Sequence, residues 1–132
     1  MGADLTATFT LEGDEEMMDK IARLYPAYKT AMWQGMEDWA DDVINEAKRI
    51  TPVDTGALRA SGHVVGVNDM GQGEVTLDLG FSAEYAAPVH ENMAARHEVG
   101  RAKFLEIPLI IKSGELLPRI ARMMDREAEA QL

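Results

Sequence analysis

Residues 49–62, RITPVDTGALRASG, form the stretch that decides the fold, because a helical pattern ends there and a strand pattern begins. Pro52 fixes its own φ and pushes the residue before it out of the α region, so we predict that the preceding helix stops here. Asp54 and Thr55 have side chains that can hydrogen-bond nearby backbone amides, and Gly56 tolerates a positive φ. The stretch is therefore predicted to be a tight turn between a helix and a strand.

The second half of this turn offers one apolar side chain and two polar ones. We predict that Asp54 or Thr55 braces the turn, while Leu58 and Arg59 fix it to the sheet or to a neighbouring subunit. Ser61 is a further polar arm. The guanidinium of Arg59 is always charged and can pair with a carboxylate within the chain or in a neighbouring chain. The alternative role is that of a solvated arginine in a loop.

Before the turn, residues 27–50 predict a long amphipathic helix with Lys48 and Arg49 in its last turn, where cations suit the helix dipole. Its apolar residues recur at helical spacing: Met32, Met36, Trp39, Ala40, Val43, Ala47 and Ile50. A short helix is predicted over 14–25, ending before Pro26. Residues 4–12 alternate between apolar and threonine positions, which predicts a half-buried strand.

After the turn, two strand patterns flank a glycine-containing loop. Residues 61–68 and 74–81 are predicted strands, and residues 69–73 are the predicted hairpin loop. We expect this hairpin to join the N-terminal strand in one small antiparallel sheet, packed on one face by the long helix. With a C-terminal helix, the predicted fold class is α+β, as a single domain over residues 1–132.

The C-terminal third is less regular. Residues 85–89 are predicted to form a short helical or extended turn, followed by a loop over 92–100. Residues 102–111 are apolar and β-branched, which favours a strand, although Pro108 weakens it. Residues 113–130 predict a helix that Ser113 caps. Three arginines are expected on its outer side: Arg119, Arg122 and Arg126.

The composition limits the function. The chain has no cysteine, so disulfides and thiolate sites are excluded, and no apolar run long enough to cross a membrane. Its first residues lack the basic start and apolar core of a secretory signal. The net charge is −10, and residues 1–46 hold 11 acidic against 3 basic residues. Because sequence-reading DNA binders usually show a basic face, we expect no tight DNA binding.

Catalytic and metal chemistry find weak support. The histidines are His63, His90 and His97, and the spacing of the last two is not that of a helical zinc pair. We expect surface histidines, no metal and no cofactor. A hydrolase built from Ser61 or Thr55 with His63 and Asp54 would lack a nucleophile elbow, so we expect no enzyme.

Methionine is abundant in the first third of the chain, at Met17, Met18, Met32 and Met36. Such residues either fill a core or form an adaptable partner surface, and we favour core filling.

Two blocks of the sequence carry a resemblance. The first is Pro-Val-Asp-Thr-Gly-x-Leu-Arg-x-Ser, with Pro52, Val53, Asp54, Thr55, Gly56, Leu58, Arg59 and Ser61. The second comprises Tyr85, Ala86, Val89, His90, Glu91, Lys103, Phe104, Leu105 and Glu106. In order and distance they resemble a family of neck proteins of tailed bacteriophages, also called head–tail joining or tail-completion proteins. The resemblance spans roughly residues 30–125, although many members carry Gly-Thr where Asn92-Met93 stand here.

The resemblance implies a structural protein of a phage or prophage virion, made in the bacterial cytoplasm and placed at the head–tail interface. It implies a ring of about six or twelve copies, closed by head-to-tail contacts, through which DNA passes. The partners would be head-completion or connector proteins and the tail terminator or tail tube. It also implies that residues 102–111 begin a C-terminal helix. If acidic residues of the long helix line that lumen, they would let DNA slide without binding it: Glu37, Asp38, Asp41 and Asp42.

Three alternatives stay open. The nearest is a tail terminator that caps the tail tube. The others are a metal-dependent or hydrolytic enzyme and a soluble regulator or binding module.

Overall fold

The computed structural model describes residues 5–13, 16, 23, 26–52, 56–71, 74–83, 85–93, 100 and 102–130. The elements follow in the order β1 (Leu5–Glu12), α1 (Pro26–Ile50), α2 (Ala57–Ala60), β2 (Gly62–Gly71), β3 (Glu74–Phe81), α3 (Ala86–Glu91), α4 (Glu106–Lys112), a 3-10 turn (Ser113–Glu115) and α5 (Leu116–Ala130). The helix predicted over 14–25 lies almost wholly outside the described residues. None of the described helices is long and apolar enough to span a membrane.

The three strands form one antiparallel sheet in the order β1-β3-β2. β1 and β3 pair without interruption from Leu5 opposite Phe81 to Glu12 opposite Glu74. Every second residue of β3 is buried, from Val75 to Phe81, because alternate side chains of a strand point to opposite faces. The predicted α+β class, with a small antiparallel sheet and a long helix on it, is confirmed.

The hairpin differs from the prediction at its turn. β2 continues to Gly71, so the first three residues of the predicted 69–73 loop are part of the strand. The Asp69 carboxylate accepts a hydrogen bond from the Gly71 backbone N–H at 2.9 Å, and Gly71 has a φ of 75°. The ladder is irregular between Val64 and Gly66 and again between Asp69 and Gly71. These β-bulges twist β2, which is the outer strand on that side.

Helix α1 supplies the other half of the core. It packs mainly over β2 and β3 and, on its other side, against α5. Trp39 is fully buried, and its Nε1 donates a hydrogen bond to the Lys112 carbonyl at 2.8 Å. Its ring lies edge-on to that of Phe9, with 4.9 Å between the ring centroids. Met36 is fully buried and Met32 half-buried, which confirms core filling for both. Met17 and Met18 lie outside the described residues.

The pattern of residues 102–111 favoured a strand, and this interpretation is wrong, because residues 106–112 form helix α4. The helix is what the resemblance implied. Pro108 is the third residue of that helix, where a missing N–H breaks no intrahelical hydrogen bond. Ser113 does not cap the next helix. Its hydroxyl donates instead to the Ile110 carbonyl at 2.8 Å, at the end of α4.

Helices α1 and α5 approach closely at Gly35. A Cβ at this position would lie 2.9 Å from the Cα of Ile120, so a larger residue would push the helices apart. Next to this contact, Arg119 bonds Asp38 at 2.9 Å and Asp42 at 2.5 Å. The predicted outward position of Arg119 is therefore wrong, while Arg122 and Arg126 are exposed as predicted.

The double ion pair of Arg119 predicts a modest stabilising role. Arg119→Ala is expected to lower the free energy of unfolding by about 1 kcal/mol, because both carboxylates are half-exposed and screened by water. Urea unfolding at low salt and in 1 M NaCl measures this, and the loss should shrink in salt. Arg122→Ala is the matched control, with an expected change near zero. An equal loss for both variants would contradict the assignment.

Candidate assembly surface

The signature turn, residues 52–61, directly follows the end of helix α1, whose last carbonyls are hydrogen-bonded. Thr51 is fully buried, and its hydroxyl donates to the Ala47 carbonyl at 2.6 Å, which satisfies one of the last carbonyls of α1. Pro52 follows and is also buried. The predicted end of the helix before Pro52 is confirmed. Residues 53–55, and with them the bracing role of Asp54 or Thr55, lie outside the described residues.

The second half of the predicted tight turn is a short helix, α2. Gly56 precedes α2 with a φ of 84°, a conformation that glycine tolerates. Leu58 is buried, as expected for an apolar anchor. The Ser61 hydroxyl donates to the Leu58 carbonyl at 2.7 Å, so it closes this helical turn.

Arg59 is half-buried and held by its own turn. Its Nη2 donates to the Thr51 carbonyl at 3.4 Å, while its buried Nε has no hydrogen-bond partner among the described residues. A fully solvated arginine would lack both the contact and the burial. A contact from Arg59 to a neighbouring subunit stays a prediction.

The second block is built around His90, which sits in helix α3 and is buried. The expectation of a surface histidine is wrong for this residue. Its Nε2 accepts a hydrogen bond from the Glu106 backbone N–H at 3.2 Å, so the ring proton is on Nδ1. Nδ1 donates to the Glu91 carboxylate at 2.9 Å. The ring therefore ties α3 to the start of α4.

Lys103 completes this clamp. Its ammonium contacts the Glu91 carboxylate directly and lies 3.4 Å from that of Glu106. Its backbone N–H donates to the His90 carbonyl at 2.8 Å. Lys103 has a φ of 58°, an uncommon conformation for a residue with a side chain. The several bonds at this point hold the chain in that conformation.

The second block joins the core through aromatic rings. Phe104 is fully buried, with its ring edge-on to those of His90 at 5.1 Å and Phe81 at 5.0 Å. Phe81 in turn leaves no room for a side chain at Gly62, directly after the signature turn. Leu105 and Ala86 are buried beside this cluster, Val89 is half-buried, and Tyr85 is exposed.

The pKa of the Glu91 carboxyl is lowered below its ordinary value of 4.5, first by the hydrogen bond from Lys103 and then by that from His90. Because the pKa is lower in the folded chain, the ionised carboxylate stabilises the fold above pH 4.5. This stabilisation is lost as the pH falls through the lowered pKa. Glu91→Gln is therefore expected to melt at a lower temperature than wild type at pH 7. The difference should shrink as the pH falls below 4.5, and melting curves by circular dichroism over a pH series test this. Glu37→Gln, at an exposed position of α1, is the control.

The described residues that the sequence offered for chemistry do not form a shared site. His63 is exposed, and its Nδ1 lies 2.8 Å from the Ser61 backbone carbonyl, whereas the Ser61 hydroxyl bonds Leu58. Within the described part of the chain, no three His, Asp or Glu side chains come together as metal ligands. His97, Asp54 and Thr55 lie outside it.

The C-terminal helices expose three large apolar side chains that the sequence prediction missed, and we call these three side chains the apolar stripe. Ile110, Ile111 and Leu117 are 65%, 71% and 65% exposed. Lys112 and Glu115 lie between them and pair with each other at 3.8 Å, so the stripe is close to neutral. Beside it is a groove of about 340 Å³, lined by Glu46, Arg49, Ile50, Ile107, Pro108, Ile111 and Lys112. Residues 107–111 hold more isoleucine than one helix face can bury, which is a usable sequence signal.

The acidic face of α1 is partly neutralised. Glu37 and Asp41 are exposed, whereas Asp38 and Asp42 are bound by Arg119. The face predicted to line a lumen therefore carries less net charge than the sequence suggests.

Comparisons with known proteins identify no relative: no family model, no curated protein and no solved structure matches the chain.

Proposed function

We propose that this chain is a structural virion protein of a tailed bacteriophage or prophage, forming a ring at the head–tail junction through which DNA passes. The observation that carries the proposal is the resemblance of two sequence blocks to the neck family, together with their contribution to one core. Leu58 of the first block lies in the same cluster of buried residues as Ala86, Phe104 and Leu105 of the second.

The apolar stripe supports association between copies. Exposed large apolar side chains grouped on one surface mark sites of protein contact. The stripe of Ile110, Ile111 and Leu117 is near neutral, on a chain whose net charge of −10 makes copies repel elsewhere. We therefore assign the head-to-tail contact of the ring to this stripe.

The partners follow from the position at the junction. On one side the ring would contact the connector or head-completion proteins, and on the other the tail terminator or tail tube. A tail terminator is the second candidate, because the same stripe would serve a ring that caps the tail tube. Added tail tubes or added connectors, mixed with the ring and imaged by electron microscopy, separate the two positions by what the ring binds.

The test of the ring is the mass of the particle in solution, by light scattering, with negative-stain images of its shape. Wild type is expected to form closed rings of about six or twelve copies of the 14.6 kDa chain. Ile111→Asp should prevent ring closure without changing the melting curve, and Met70→Asp, an exposed position on the hairpin, is the control. Rings of Ile111→Asp would remove the stripe from the interface, and the absence of wild-type rings, even with added connector, would contradict the proposal.

Passage of DNA without sticking is part of the same proposal. The charge of −10 opposes the phosphate backbone, so no gel shift of duplex DNA is expected at physiological salt. Micromolar or tighter binding at about 150 mM salt would contradict it.

A further inference from the structure

The two outer strands of the sheet differ sharply in how well they are protected against pairing with another chain. Proteins protect such edges with proline, lysine, bulges or covering elements. β2 has two irregularities in its ladder, and α1 packs over it. β1 has an unbroken register over all eight residues, and its sequence LTATFTLE contains neither proline nor lysine.

The edge of β1 that faces away from β3 is also well formed. Phe9 is held against Trp39 at 4.9 Å on the inner face, and the Thr8 hydroxyl donates to Asp78 at 2.7 Å on the outer face. In an antiparallel strand, about half of the backbone N–H and C=O groups point away from the paired neighbour. No described strand pairs with that side of β1. The edge is thus a straight row of about four donors and four acceptors.

We infer that β1 pairs antiparallel with β1 of a second copy, so that two sheets join into one six-stranded sheet across a two-fold axis. This pairing is independent of the proposed ring. The edge chemistry selects a strand as the occupant, since only an extended backbone satisfies such a row. The choice of β1 over β2 of the second copy follows from the bulges, which break the straight edge of β2.

The outer face of β1 fits its own copy. Thr6, Thr8 and Thr10 are exposed in a row. In a two-fold antiparallel pair, side chains of one face meet side chains of the same face, so threonines meet threonines. Such pairs are favourable across strands, and β1 brings no lysine or arginine and only the terminal Glu12 to the pair.

The experiment combines two sets of variants. In Ile111→Asp, the contact proposed for the ring is removed, and dimers of the 14.6 kDa chain should remain in sedimentation equilibrium. Adding Thr8→Lys should weaken these dimers at least about tenfold, because it brings two like charges to the same face of the new strand pair. The lysine keeps a partner in Asp78, so the monomer should still fold, which circular dichroism checks. Val65→Lys, on the bulged edge and 60% exposed, is the matched control and should leave the dimer intact.

Backbone hydrogen exchange gives a second readout. Amides of β1 that point away from β3 should exchange at least about tenfold more slowly in the dimer than in the Thr8→Lys monomer, in alternation along residues 5–12. Dimers that survive Thr8→Lys, or unprotected outer amides, would overturn the inference. Dissociation by Val65→Lys would overturn it too, by placing β2 in the contact. A wild-type ring that lacks this protection would also overturn it while leaving the proposed function intact.

Discussion

Replacing Phe104 by alanine is expected to lower the free energy of unfolding by about 3–5 kcal/mol, the usual loss for a fully buried phenylalanine. The ring is 0% exposed and meets Phe81 and His90 edge-on. Its removal leaves a cavity beside Phe81 and His90, where the second block packs into the core. Because small domains are stable by only about 5–15 kcal/mol, the variant should lose much of its stability.

Urea unfolding followed by fluorescence measures this loss. Phe104→Leu keeps most of the volume and should cost less than about 1.5 kcal/mol, which shows whether the cavity or the ring matters. Met93→Ala is the control for a large apolar side chain that is 74% exposed, with an expected change within about 0.5 kcal/mol. A loss below about 1.5 kcal/mol for Phe104→Ala would mean that this ring does not anchor the second block in the core.

Gly80→Ala is expected to be nearly as damaging, although it adds a single methyl group. A Cβ at Gly80 would lie 2.1 Å from the Leu5 carbonyl oxygen and 3.0 Å from the Thr6 Cα. Both are backbone atoms of the paired strand and cannot turn away as a side chain can. The strands must separate locally, and we expect a loss of about 3 kcal/mol, at the upper end for overpacking.

Gly114→Ala is the matched control, because a Cβ there meets nothing within 4 Å. It should leave stability unchanged or raise it slightly, since alanine favours helical conformations. Hydrogen exchange distinguishes the local effect: amides of β1 should lose protection in Gly80→Ala before those of α1 do. Equal unfolding free energies for the two variants would contradict the close contact of β1 and β3 at Gly80.

Regular periodicity explains what the sequence could predict. The alternation of residues 74–81 and the helical spacing of residues 27–50 are long enough to be unambiguous, and both are confirmed. The positive φ of Gly56 and the burial of Leu58 also follow from local chemistry. Each of these features is decided by residues close together in the chain.

The predictions that failed concern features that are mostly decided by residues distant in the sequence. His90 is buried because Phe104 and the Glu106 amide reach it from a later part of the chain, which no pattern near His90 indicates. Arg119 turns inward because Asp38 and Asp42 of another helix lie opposite it. The segment 106–112 is a short apolar run, for which periodicity alone does not separate strand from helix.

The ion pairs of Arg119 with Asp38 and Asp42 have a consequence for how the protein behaves as the ionic strength changes. They cancel charge at one place, yet the chain as a whole keeps −10, so separate copies approach one another against a long-range repulsion. The range of that repulsion shrinks from about 30 Å at 0.01 M salt to about 8 Å at 0.15 M. Salt should therefore drive copies together, the reverse of its effect on proteins that hold nucleic acid through phosphate contacts. In a sample dialysed into water the chains should stay separate, and they should assemble when salt is added again.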